Sequence, residues 1–224
     1  MDCLQLEKTA LFKGMTSIDI EHILKCLGAY TKKFKKNSII LERGSTTKEL
    51  GVVMKGSVNI ENTDLSGNHI ILTKIKAGSL FAETYACIPN AIIQVNVRAD
   101  EDVEILFINV EKLFNLCSNV CLGHVIMIKN LVRTVSYKNI ILTNRNVHTS
   151  YKKIRGKLLS YFSEQMLSVQ SESFTIPFNR QELADYLNVD RSALSNELSK
   201  MQKEGIIEVN KNRFKILKRG DIEC

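Results

Sequence analysis

Arg191, Ser192, Ser195 and Asn196 bring a guanidinium, two hydroxyls and a carboxamide onto adjacent turns of one short stretch. At helical spacing they share a face, because residues three and four apart are neighbours on a helix surface. That face is polar, hydrogen-bonding and mostly uncharged, which suits the edges of base pairs in a major groove. A merely solvated face more often carries Glu and Lys pairs. Arg180, just before the first helix of the pair, and Lys200, further along the second, are placed for phosphates, which position a protein on DNA without specifying sequence. Other chemistry fails on spacing. Cys117 and Cys121 are four apart and no CxxC pair occurs, whereas zinc and iron–sulfur sites use closer clusters. His22, His69, His124 and His148 form no pair, and there is no GxSxG, no phosphate loop and no Cys–His arrangement of catalytic design.

The elements that must hold those side chains can be read around them. Asn179 is an N-cap with Glu182 three residues on, the pattern of a capping box. Leu183, Ala184 and Leu187 give a short helix its inner face, and Asn188–Val189 make the turn. Asp190 then caps a second helix that buries Ala193, Leu194, Leu198 and Met201, with Gly205 ending it. IIEVNKNRFKIL reads as two strands around an Asn-Lys-Asn turn. Two helices, a tight turn and a hairpin make a winged helix-turn-helix. Upstream, Ser150 is expected to cap a helix running from Tyr151 to Met166, after a polar break at 147–150, and FTIPF is a short strand.

The rest of the chain has two textures. After a helical entry at about Leu4 to Leu27, short β-rich runs alternate with Gly, Asp, Asn and Ser turns, which predicts an antiparallel sandwich or barrel. From about Val110 the period becomes helical. Cys121, Val125, Ile128, Val132, Val135, Asn139, Leu142 and Asn146 lie alternately four and three residues apart, the stripe of a coiled-coil seam. Ile126, Leu131, Ile140 and Ile141 form a second strip, so that one strip can pack on the β domain and the other on a second copy. The alternative is a single buried helix.

With 224 residues, 44% hydrophobic and 25% charged, the composition is that of a globular chain of one large domain or two modest ones. No apolar run approaches the ~18–20 residues of a membrane span, and the N-terminus lacks the basic flank of a signal peptide. The expected location is the cytoplasm, with no membrane partner and with six reduced cysteines. The net charge of +7 is spread over both halves, compatible with nucleic acid without establishing it.

The sequence resembles the CRP/FNR family of transcription regulators over nearly its whole length. The resemblance rests on ALFKGM at 10–15, KKNSIILERGS at 35–45, GVVMKGSVNI at 51–60, GSLFAE at 78–83, and NRQELADYLNVDRSALSNELSKMQKEGII. It implies an α+β fold: an N-terminal double-stranded antiparallel β-roll (1–118), a long dimerisation helix and hinge (119–148), and a C-terminal winged helix-turn-helix (149–224). It marks Arg191 as base-contacting, and places Asn196 where many relatives have Arg. It also implies a homodimer on a palindromic double-stranded operator, with RNA polymerase as a further partner. In relatives that bind a cyclic nucleotide, a Gly-Glu turn supplies a carboxylate to the ribose and an Arg-Ser pair holds the cyclic phosphate. Glu83 matches the carboxylate, but Ile93 and Gln94 stand at the phosphate positions. Arg98 lies at odd spacing from Ile93 and so on the opposite face of an alternating strand. The expectation is an unidentified small effector other than cyclic AMP, its cofactor unknown. The alternatives are a regulator with a vestigial pocket, acting constitutively or through protein partners, and a cupin-like enzyme, for which the His-x-His metal set is missing.

Overall fold

A computed structural model describes residues 3–63, 69–115 and 122–218. Two compact units emerge, divided between Tyr137 and Lys138.

The first unit opens with α1 (Cys3–Glu7) and α2 (Ser17–Leu27), two helices where the sequence suggested one continuous entry. Thr16 and Asp19 close a capping box that starts α2, and Gly28 in the left-handed region ends it. Eight strands follow: β1 (Tyr30–Phe34), β2 (Ile39–Leu41), β3 (Glu49–Lys55), β4 (Ser57–Thr63), β5 (His69–Lys76), β6 (Leu80–Phe81), β7 (Asn96–Ala99) and β8 (Val103–Asn109). Short helices α3 (Glu83–Ala86) and α4 (Val110–Phe114) interrupt and follow them. The strands form two antiparallel four-stranded sheets, ordered β1-β8-β3-β6 and β2-β7-β4-β5. Val53, Ile105 and Phe107 of one sheet and Val58, Val97 and Ala99 of the other share a core with Phe81. The Phe81 ring lies so close over Gly51 that a Cβ there would meet its Cζ at 2.3 Å. Only glycine admits the ring.

β3 alternates, so its other face carries Leu50, Val52 and Met54 into a second cluster with Ile20, Ile23 and Leu24 of α2. Met127 and Leu131 of α5 (Leu122–Ser150) complete that cluster. Asn130, one position before Leu131, is buried and donates from Nδ2 to Leu11 O at 3.0 Å and Lys13 O at 2.8 Å.

The second unit contains the end of α5, α6 (Ile154–Val169), β9 (Ser173–Thr175), α7 (Arg180–Leu187), α8 (Arg191–Lys203), β10 (Ile207–Asn210) and β11 (Arg213–Ile216). The three strands pair in the order β10-β11-β9. Leu158 and Phe162 of α6, Leu183 and Leu187 of α7, and Leu194, Leu198 and Met201 of α8 close on Phe174 and Phe214 of the sheet. Burying each such side chain stabilises the unit by roughly 1.5–3 kcal/mol. The expected polar break at 147–150 is instead helix. Thr149 Oγ1 donates to Arg145 O and Ser150 Oγ to Val147 O, so the hydroxyls turn back onto their own helix. Ser150 therefore ends α5, and Lys153 stands at the N-cap of α6. Among the described residues, no helix is long and apolar enough to cross a membrane.

Candidate nucleic-acid interface and effector site

The helix-turn-helix is held by three local devices visible in the sequence. Asn179 and Glu182 form the capping box of α7, Asn188 takes the left-handed conformation at its end, and Asp190 accepts from Ala193 N at the start of α8. With Leu194, Leu198 and Met201 turned inward, α8 leaves Arg191, Ser192, Asn196, Ser199 and Lys200 exposed and Ser195 half-buried. Asp190 also accepts from the Ser192 hydroxyl, and these two hydrogen bonds hold its carboxyl below the usual range. Ser195 Oγ donates to Arg191 O at 2.9 Å and Ser199 Oγ to Ser195 O at 3.0 Å. Both serines thus turn oxygen lone pairs outward. The side chains of Arg191 and Asn196 make none of the hydrogen bonds or ion pairs found among the described residues, and stay free to meet a partner. Arg180 differs from its expected setting. Its guanidinium lies 5.3 Å from the Phe214 ring centre, half-buried, and burial lowers its pKa. It is a packed cation as much as a surface one.

Sequence reasoning missed the residues that position this pair of helices. Arg155 of α6 grips α8 through Glu197 (Nε to Oε1, 2.6 Å) and Glu204 (Nη1 to Oε2, 2.8 Å), and the two carboxylates raise its pKa. Glu197 is therefore occupied and removed from readout. Lys157 donates to Leu187 O and Asn188 O, and Arg145 to Tyr186 O and Asp185 O. Both cations sit where the last carbonyls of α7 concentrate negative potential. Lys211, Arg213 and Lys215 lie exposed on the wing, a row whose signal, KNRFK, was in the sequence.

In the β-roll, Glu83 is buried at the first position of α3, after Ala82 at φ 61°. A non-glycine residue there carries a strain usually met at functional turns. Cys87, one turn on, has its thiol pushed up by burial and then by the Glu83 charge. Ile93 is 1% exposed, and its backbone pairs with Ser45 O and Gly44 N. Gln94 is exposed, its N–H donating to Tyr85 Oη at 3.3 Å. Arg98 is committed elsewhere. Nε meets Glu61 Oε1 at 2.5 Å and Nη1 meets Asn37 O at 2.8 Å, while Val97 and Ala99 on either side enter the core.

Two family models match this arrangement in order. The cyclic nucleotide-binding domain covers residues 31–120 and the Crp-like helix-turn-helix domain covers residues 156–223. The chain belongs to the CRP/FNR family of transcription regulators. Solved structures share its fold at low identity. CLP of Xanthomonas campestris, described as a c-di-GMP responsive global regulator, has a TM-score of 0.54 and 15% identity, over 91% of this chain and 100% of that one. A CooA mutant from Carboxydothermus hydrogenoformans gives 0.55 and 17%, over 97% and 92%. CprK complexed with OCPA gives 0.58 and 15%, over 89% and 91%. A search of curated proteins found no match.

In this CRP/FNR chain the long helix leaves a row uncovered. Val132 is 58% and Leu142 64% exposed, Val135 and Asn139 are exposed, and Val125 and Ile128 are half-buried. Cys121 lies outside the described residues. The second strip divides. Leu131 is buried and Ile126 half-buried, but Ile140 and Ile141 are exposed, 57% and 42%. The packed face is instead His124, Met127, Asn130 and Leu131, because α5 turns that side to the cluster with α2 and β3.

Proposed function

We propose that this regulator works as a homodimer in the cytoplasm, reading an inverted-repeat operator with two copies of α8 and recruiting or obstructing RNA polymerase there. It is not an enzyme. Residues 1–118 serve as the sensing domain, 119–148 as the dimerisation helix and hinge, and 149–224 as the reader. The observation that carries the reading is the outward face of α8, where Arg191 and Asn196 are exposed and uncommitted. Arg191 reads guanine O6 and N7 through its planar fork, a contact worth roughly 1–3 kcal/mol of discrimination. Ser192, Ser195 and Asn196 read neighbouring edges, while Lys200 and the half-buried Arg180 meet phosphates. Fluorescence anisotropy tests this on a selected operator and a scrambled duplex. Arg191→Ala should weaken the operator about 5- to 150-fold and leave the scrambled duplex unchanged. Equal losses on both make Arg191 a phosphate contact and defeat its role as reader.

The effector belongs in the β-roll near Glu83, Ile93 and Gln94, and it is not cyclic AMP. A buried phosphate needs a charge-assisted partner, each such bond being worth roughly 1.5–3 kcal/mol. Ile93 has no group to offer one, and Arg98 is spent on Glu61. Calorimetry should show no cyclic AMP binding at micromolar affinity; a micromolar isotherm overturns this. The second reading, a vestigial pocket, is favoured by the Phe81 ring packed onto Gly51 inside the roll. An effector-dependent change in operator affinity excludes it.

A further inference from the structure

The last two turns of α5 are bolted to the reader by side chains that no base-contacting or dimer role uses. Arg145 donates from Nε to Tyr186 O at 3.1 Å and from Nη2 to Asp185 O at 3.2 Å, and its guanidinium stands 5.7 Å from the centre of the Tyr186 ring. One turn on, His148 has a side chain only 4% exposed. Its Nδ1 meets Ser160 Oγ at 2.9 Å and its Nε2 meets Glu164 Oε2 at 2.7 Å, with the Tyr161 ring edge-on at 5.6 Å. Asn144 donates to the other Glu164 oxygen at 2.5 Å. Asn144 and His148 thus hold α6 by both oxygens of one carboxylate, and Arg145 holds the end of α7. Two separate elements are gripped from one helical turn, which fixes rotation about the α5 axis as well as position. Leu142, on the exposed stripe, lies only three residues before Arg145.

We infer that Arg145, with the His148–Glu164–Asn144 cluster, is a positioning strut that makes the reader turn as one body with the end of α5, and so sets the half-site spacing the dimer accepts. This rests on the dimeric DNA-reading function proposed above. B-DNA turns once in about 10.5 base pairs, so one inserted pair rotates the half-sites by roughly 34° and parts them by roughly 3.4 Å. A reader fixed to its dimer helix cannot follow that rotation unless the DNA is deformed; a reader on a slack joint can.

The test measures affinity for operators with the central spacer at its selected length and one pair longer or shorter. Wild-type protein should lose about tenfold or more on each altered spacer. Arg145→Met keeps the stem and removes both donors, and should cut that penalty to about threefold or less, with melting temperature and the Arg191-dependent base preference retained. Arg145→Lys should restore part of the penalty, since a cation still reaches the α7 carbonyls without the fork. Glu164→Gln tests the second attachment in the same way and guards against a folding defect in the first variant. An unchanged spacing penalty in folded Arg145→Met and Glu164→Gln defeats the strut alone. Wild-type protein that binds the selected operator no better than the scrambled duplex defeats the DNA-reading function, and the strut falls with it.

Discussion

α5 and α8 each pack one face and leave the other uncovered, yet they assign polar and apolar residues in opposite senses. In α8 the apolar side chains Leu194, Leu198 and Met201 are buried and the polar ones face out, with Arg191 and Asn196 unengaged. In α5 several polar residues are engaged instead. Asn130 satisfies two carbonyls, and Asn144 and His148 are tied to Glu164, while Val132, Val135 and Leu142 stand exposed. A lone exposed apolar residue means little, but a row at seam spacing calls for a covering surface of its own kind. A face that offers donors from Arg191 and Asn196 beside serine lone pairs suits a hydrated partner with both acceptors and donors. On the function proposed above, a second copy of the chain would cover the α5 row and nucleic acid the outer face of α8.

The sharpest way to break that contrast is to give α5 the polarity of α8. Val132→Glu places like charges across a two-fold seam. Removing an unpaired pair of charges from water costs roughly 3–5 kcal/mol, a hundredfold or more in association. Sedimentation should show a monomer at concentrations where wild-type protein is dimeric, and operator affinity should fall with it. The fold of either unit should be spared, because Val132 is exposed in the single chain. A variant that remains dimeric and still binds operator moves the seam to another face, with Ile140 and Ile141 the first to consider.

What could be read from the sequence follows the range of the interactions. The caps Asn179, Glu182 and Asp190 bond within three residues, and the inner face of α8 has a simple period, so both were legible. The structure has the caps and buries Leu194, Leu198 and Met201, while Ala193, expected inside, is only half-buried. The stripe through Val132, Val135 and Leu142 was visible for the same reason. Long-range commitments were not. Nothing near Arg155 says that Glu197 and Glu204 will close on it from 42 and 49 residues away. Nor does anything near Arg145 point to the carbonyls of α7. The polar VHTS segment read as a break because composition there suggested a loop; burial of His148 against α6 and the back-bonded Thr149 and Ser150 make it helix. In the β-roll the alternating strand expected to carry both Ile93 and Arg98 begins only at Asn96, so Ile93 lies in the loop before it and is held by Gly44 and Ser45 instead. Glu61 as the partner of Arg98 required the β4–β7 pairing.

The finest division lies within α8 itself, between reading and holding. Lys200 is exposed two turns beyond Arg191, and nearby Glu204 is already engaged by Arg155, so its ammonium is available to a phosphate. Phosphate contacts act through release of condensed counterions, so a lost contact lowers the slope of log affinity against log salt by about 0.9 on duplex DNA. Lys200→Ala should therefore weaken operator and scrambled duplex by the same factor and flatten the salt dependence by about one unit. Arg191→Ala should change the operator alone and leave the slope nearly as it was. Arg180 makes a poorer probe, since removing a half-buried cation from the Phe214 ring also disturbs the wing. Anisotropy titrations on both duplexes at two salt concentrations separate the two behaviours. An unchanged slope for Lys200→Ala takes Lys200 off the phosphate backbone and shifts that role towards the exposed wing cations Lys211, Arg213 and Lys215.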